Sequence, residues 1–115
     1  MNMPHLTDAI ASLPFVFVSG RLALGPNGKP VAADVGAQTD LCLVAVEDAL
    51  KPHGLDRRHV VKTTIWITAP AHFADFDERY ALFFGDIRPA RSTVVSDLVI
   101  PGCLVEIEAI ARLER

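Results

Sequence analysis

Between Cys103 and Leu113 the chain alternates with a period of two, with Val105, Ile107, Ala109 and Ala111 on one side and Leu104, Glu106, Glu108 and Ile110 on the other. Successive side chains of a strand point to opposite faces, so this stretch predicts a strand with one wholly apolar face that another layer must cover. Two helices are available for that. Asp34 stands as a cap before a helix expected from about Val35 to Lys51 and ended by Pro52-His53-Gly54. Phe73, Phe76, Tyr80, Phe83 and Phe84 recur at helical spacing up to Gly85, giving a second helix with an aromatic stripe for the core. Val60 to Ile67, a β-branched and aromatic run without a breaker, predicts a central strand, Ala90 to Val95 another, and Asp97 to Gly102 a loop. At the start, the β-rich run Pro14 to Gly20 and the short run Arg21 to Leu24 predict a strand pair, followed by the turn chemistry of Gly25 to Pro30. The resulting order is ββαβαββ, a two-layer α+β domain with a mixed sheet and both helices on one face.

At 115 residues the expectation is a single domain, residues 1–115. A net charge of −3 supplies no general field for nucleic acid or an anionic membrane surface, so neither is expected as a partner. Half the residues are hydrophobic, which is rich for a small monomer and points to a buried subunit interface. The run Leu41 to Val46, apolar on every face of its helix, points to a second cover, from another subunit or a neighbouring helix. The same run is too short to span a bilayer. The first fourteen residues lack a charged segment followed by an apolar one, and the expected location is cytoplasmic. Cys42 and Cys103 form no CxxC and read as small core residues. His5, His53, His59 and His72 share no ligand spacing, so no metal is expected. Phosphate-cradling glycine motifs and a nucleophile elbow are also missing.

Chemistry concentrates near the carboxyl terminus. Arg88-Pro-Ala-Arg91-Ser-Thr is followed, fifteen residues after Arg91, by Glu106 and then Glu108, which places a guanidinium and two carboxylates on strands expected to be neighbours. Arginine matches a carboxylate with a planar fork, and a carboxyl group kept partly out of water can move protons. The plain alternatives are a solvated Arg91 paired with a glutamate, and outward charges protecting an edge strand. Glu106 is preferred over Glu108 as the proton-handling group, and the role of Glu108 stays open. Ser19-Gly20 offers hydroxyl and backbone N–H groups to a ligand or simply serves the turn. Lys62 is expected to face solvent or a carboxylate. The strand face carrying Glu106 and Glu108 also carries Leu104 and Ile110, too apolar for open water, so another copy of the chain is expected to close it.

Taken together, Val18-Ser19-Gly20, Val61-Lys62-Thr63-Thr64, Tyr80-Ala-Leu-Phe83-Phe84, Pro89-Ala90-Arg91-Ser92 and Val105-Glu106-Ile107-Glu108-Ala109-Ile110-Ala111 resemble the RidA/YjgF family of enamine and imine deaminases. The resemblance implies a chorismate-mutase-like fold and a homotrimer with ligand sites in clefts between subunits. It also implies cofactor-free hydrolysis of 2-imino acids or their enamines, of the 2-iminobutanoate and 2-iminopropanoate type, to 2-oxo acids and ammonia. By the same resemblance Arg91 binds the substrate carboxylate and Glu106 positions water. Ser19, Gly20 and Thr93 would line the pocket, and Phe83 or Phe84 would form its apolar wall. Some positions depart from the pattern. Met1 to Leu13 lacks the Ile-Gly-Pro-Tyr segment of many members, Arg21 stands where glutamine is frequent, and Thr93 where cysteine is. Two alternatives accompany this reading: a deaminase of a larger catabolic enamine of the aminoacrylate or aminomuconate type, and a non-catalytic trimer that binds a small carboxylate. The ribonuclease activity sometimes attached to the family finds no basic and aromatic stretch here.

Overall fold

The alternating stretch forms a strand over Val105–Arg112, and in the computed structural model, which describes residues 4–114, this strand is the middle of a five-stranded sheet. In chain order the elements are β1 (Ala9–Ser12), β2 (Phe15–Arg21), α1 (Val35–Leu50), β3 (Val60–Ile67), α2 (Phe73–Phe84), β4 (Ala90–Val95) and β5 (Val105–Arg112). The sheet order is β1-β2-β5-β3-β4, antiparallel throughout except for the parallel β3–β4 pair. That parallel pair needs a crossover, and α2 supplies it.

Three expectations are corrected here. Arg21 to Leu24 is not a strand: Arg21 closes β2, Leu24 makes only an isolated bridge to Pro30, and the partner of β2 is Ala9–Ser12 on its other side. The β2–β5 register shifts between Val18 and Arg21, which breaks the pattern a second strand would continue. The last strand begins at Val105, not Cys103, because the Leu104 N–H is taken by the Gln38 side chain at 2.8 Å. Finally, β4 and β5 are not neighbours. The α2 crossover delivers β4 to the far edge of β3, so β3 lies between Arg91 and the two glutamates.

Both helices cover one face of the sheet. Val105, Ile107, Ala109 and Ala111 are buried there with Val16, Val18, Ile65 and Ile67, against Leu43, Val46 and Leu50 of α1 and Phe76 and Phe84 of α2. The buried polar groups of this layer are satisfied internally. The Thr63 and Tyr80 hydroxyls share a hydrogen bond of 2.6 Å, and Thr39 donates to the Val35 carbonyl at 2.7 Å. Gln38, fully buried, donates to the carbonyls of Ala32 and Gly102, both at 2.9 Å, while accepting from Leu104. It thereby ties the start of α1 to the loop that feeds β5. Asp34 caps α1 as expected, accepting from the Ala37 N–H at 2.8 Å. Leu41 and Val44, on the second apolar side of α1, remain 40% and 50% exposed, so α2 does not cover them. No helix of the described residues is long and apolar enough to cross a membrane.

The opposite face of the sheet is uncovered and carries Ile10, Phe17, Trp66, Val94 and Ile110 around Glu106 and Glu108. Ile10, Phe17 and Val94 are exposed by 60%, 42% and 42%. This is the mixed apolar and acidic face expected from the alternation in β5.

Candidate functional site

Glu106 lies opposite Trp66 on the uncovered face, half-buried. Burial, with the charge of Glu108 adding to it, pushes its carboxyl above the ordinary carboxylate range. Gly20 stands against it: a Cβ built at position 20 would overlap the Glu106 Oε2 atom. The irregular register of β2 between Val18 and Arg21 brings that stretch of backbone over the carboxylate, and only a residue without a side chain leaves the oxygen its place. Ser19 is committed elsewhere. Its hydroxyl donates to the Thr7 carbonyl at 2.5 Å and its N–H to the Asp8 carbonyl at 2.9 Å.

Arg91 lies on the other face. It sits opposite Thr63, whose side chain is buried under the helices, and its guanidinium turns toward α2. Asp77 accepts from Arg91 Nη1 at 2.7 Å, and the rings of Tyr80, Phe76 and Phe73 stand 4.9, 5.5 and 5.6 Å from the guanidinium carbon. A cation against aromatic rings is held by their quadrupoles, so the group is fixed on several sides. Asp77 takes one end only. The Nε and Nη2 groups, the side-on fork that grips a carboxylate with two parallel bonds, make no hydrogen bond among the described residues. The fork in use is visible at Arg57, where Nε and Nη2 donate to the two oxygens of Glu47 at 2.9 and 2.7 Å.

A cleft of about 360 Å³ opens beside Arg91, lined among others by Asp77, Tyr80, Phe84, Arg88 and Pro89. Of the expected apolar wall, Phe84 lines this cleft. Phe83 instead lies under Arg57, whose guanidinium is 3.8 Å from the ring centre and donates to the Phe83 carbonyl at 2.9 Å. Thr93, half-buried, lies opposite Ile65 and shares the Arg91 side of β4. Ser92 turns to the other face and accepts from Lys62 Nζ at 3.0 Å. Its hydroxyl therefore does not support an anion at Arg91, and Lys62, on the uncovered face, meets a hydroxyl rather than a carboxylate.

The chain thus brings Gly20 to Glu106, and Phe84 to Arg91, but holds these two groups on opposite faces of the sheet. Asp77 and Arg88 escaped the sequence reading as cleft residues. The signal for Asp77 was present, since it lies three residues before Tyr80, beside the buried stripe of Phe76, Tyr80 and Phe84. Among the described residues no His, Cys, Asp and Glu side chains group as a set of three or more that would hold a metal ion. Cys42 and Cys103 are free and buried as expected of core residues. Burial, foremost, pushes the Cys42 thiol up to about 12, and burial and then Glu106 raise that of Cys103, so both thiols are poor nucleophiles.

The family model described as "Endoribonuclease L-PSP" matches residues 2–113. Reactive Intermediate Deaminase A, chloroplastic, from Arabidopsis thaliana is 40% identical over 108 residues, spanning 93% of this chain and 58% of that protein. Among solved structures, the YjgF gene product of E. coli superposes with a TM-score of 0.88 at 30% identity, over 99% of this chain and 91% of that one. E. coli TdcF with bound serine superposes with a TM-score of 0.86 at 31% identity, over 96% and 90% of the two chains.

Proposed function

The chain belongs to the RidA/YjgF family, whose model is described as endoribonuclease L-PSP, and on that premise we propose that it is a deaminase of reactive imines, hydrolysing 2-imino acids or their enamine tautomers to 2-oxo acids and ammonia. The observation that carries this reading is the half-buried Glu106, a carboxyl that burial and Glu108 raise above the ordinary carboxylate range and that lies where a side chain at Gly20 would stand. Such a group can take a proton from water and return one to a leaving nitrogen at a pH where an ordinary carboxylate would not. Arg91 supplies the anchor, gripping the α-carboxylate through its open Nε–Nη2 edge while Asp77 steadies Nη1. The oxygen of the water adds to the imine carbon, the C–N bond breaks, and ammonia leaves with the proton that Glu106 carries. The reaction as written uses no cofactor. The serine bound to TdcF is a small carboxylic acid of the size this requires.

Because Arg91 and Glu106 face opposite ways, one ligand can meet both only if two copies of the chain contribute. We place the site between subunits of a homotrimer, with the uncovered apolar face of each sheet buried against the others. Gly20 and Thr93 complete the lining, Phe84 the wall, and Ser19 supports the strand behind. RNA cleavage is the less favoured reading: Arg21, Lys51, Arg57, Arg58, Arg79 and Arg91 each lie beside a carboxylate, which leaves little positive field for a phosphate backbone.

The test is ammonia release from 2-iminopropanoate generated in place by an amino-acid oxidase. Acceleration by the wild type that Arg91→Ala abolishes is expected. A spontaneous rate unchanged by the protein would overturn this substrate and leave the deaminase of a larger enamine and the carboxylate-binding trimer as the surviving readings.

A further inference from the structure

The segment between α2 and β4 is short and stiff. Gly85 ends α2 with a positive φ of 59°, and Pro89 holds Arg88, the residue before it, away from helical backbone. Arg88 is therefore presented at the mouth of the 360 Å³ cleft that Arg91 also lines. The two cations differ in how they are compensated. Arg91 is paired with Asp77, whereas Arg88 is exposed and has no carboxylate or carbonyl bonded to it among the described residues. Counting the charged cleft residues, two guanidiniums and one carboxylate leave a single uncompensated positive charge, and it belongs to Arg88. A substrate with one carboxylate, bound on the open edge of Arg91, does not use it.

We infer that Arg88 is a specificity residue that takes a second carboxylate, so that the substrates handled best are imines of dicarboxylic amino acids, such as 2-iminosuccinate or 2-iminoglutarate. This rests on the deaminase reading of the Arg91 cleft. The α-carboxylate lies on Arg91 with the imine carbon beside it, and the one or two methylenes beyond that carbon pass Phe84 and Pro89 to bring the distal carboxylate to Arg88 at the rim. The chemistry is unchanged: water oxygen bonds to the imine carbon, the C–N bond breaks, and ammonia departs, leaving a 2-oxo dicarboxylate. The reaction that supplies such a substrate is the oxidation of an acidic amino acid to its imine.

The test compares kcat/KM for 2-iminosuccinate, made in place by an aspartate oxidase, with that for 2-iminopropanoate. For the wild type the ratio should favour the dicarboxylate. Arg88→Ala should lower that ratio about tenfold or more, the loss expected for one charge-assisted contact, and Arg88→Lys should retain part of it. A ratio that Arg88→Ala leaves unchanged overturns the inference while leaving the deaminase reading intact. If the wild type accelerates neither imine, the deaminase reading falls, and calorimetric binding of succinate against propanoate still decides the role of Arg88. Preference for succinate that Arg88→Ala removes supports it, and equal affinity of the wild type for the two acids overturns it.

Discussion

A glutamate that sits partly out of water beside a second glutamate should leave two signatures that separate a working group from a decorative one. Its proton is held more tightly in the folded than in the unfolded chain, because burial and Glu108 both disfavour the charge. Stability from this group is therefore greatest below the ordinary carboxylate range, falls as pH rises toward the raised value, and is flat beyond it. Glu106→Gln should remove that slope, seen by thermal melts between about pH 4 and about pH 8, and should not lower the melting temperature at neutral pH. Turnover should nevertheless fall by about a hundredfold or more, the usual scale for loss of a general acid or base. A loss of stability in parallel with activity would make Glu106 a structural residue. Gly20→Ala probes the same place from the other side. The added methyl displaces a flexible carboxylate rather than backbone, so kcat should drop by about a hundredfold with only a small change in melting temperature. The role of this glycine was half legible in the sequence. Ser19-Gly20 read as a pair for a ligand, but the contact between Gly20 and Glu106 depends on a register shift that no local pattern announces, and Ser19 turned out to be spent on Thr7 and Asp8.

At the scale of elements, the alternation of β5 and the aromatic stripe of α2 identified strand and helix to within two residues, because both record burial on one side. β1 was missed since Ala9-Ile-Ala-Ser is a mostly exposed edge with a single β-branched residue, and its pairing with β2 is set by tertiary contact rather than propensity. Nor could the order of strands be read. Arg91 and Glu106 are each placed on the right element, yet the crossover through α2 puts β3 between them, and the register, with Arg91 opposite Thr63 and Glu106 opposite Trp66, points their side chains to opposite faces. What holds the β5 end of this arrangement is Gln38. Removing its side chain with Gln38→Ala opens a cavity and orphans the Ala32 and Gly102 carbonyls and the Leu104 N–H. The expected cost is about 2–4 kcal/mol, from about 1 kcal/mol for each bond lost and the desolvation of groups left unpaired, measured by urea unfolding. The exposed cap Asp34→Ala should cost only about 1 kcal/mol.

For the whole molecule, the faces assigned to Arg91 and Glu106 make a claim about assembly. Arg91→Ala and Glu106→Gln, each inactive alone, should regain activity when denatured and refolded together. Each subunit lacks one group and keeps the other, so about one interface in four would by chance hold both intact groups in a closed ring of copies. Activity that stays absent in the mixture, or a wild type that runs as a monomer by light scattering, would contradict the intersubunit site. The exposed Ile10, Phe17 and Val94 are expected to become protected from hydroxyl-radical footprinting in the assembled protein. That surplus of apolar surface is visible in the composition, half of which is hydrophobic, and this is why the sequence alone points to an interface.

The strict alternation of β5 also determines what kinds of genetic change this chain tolerates. Substitutions on either face act on one property at a time, core volume at Val105, Ile107, Ala109 and Ala111, or charge at Glu106 and Glu108. A one-codon deletion inside the same strand acts on both at once, because the residues beyond it would exchange sides. Point mutation can therefore tune the two faces separately, while insertions and deletions should be confined to the stretches outside the strand.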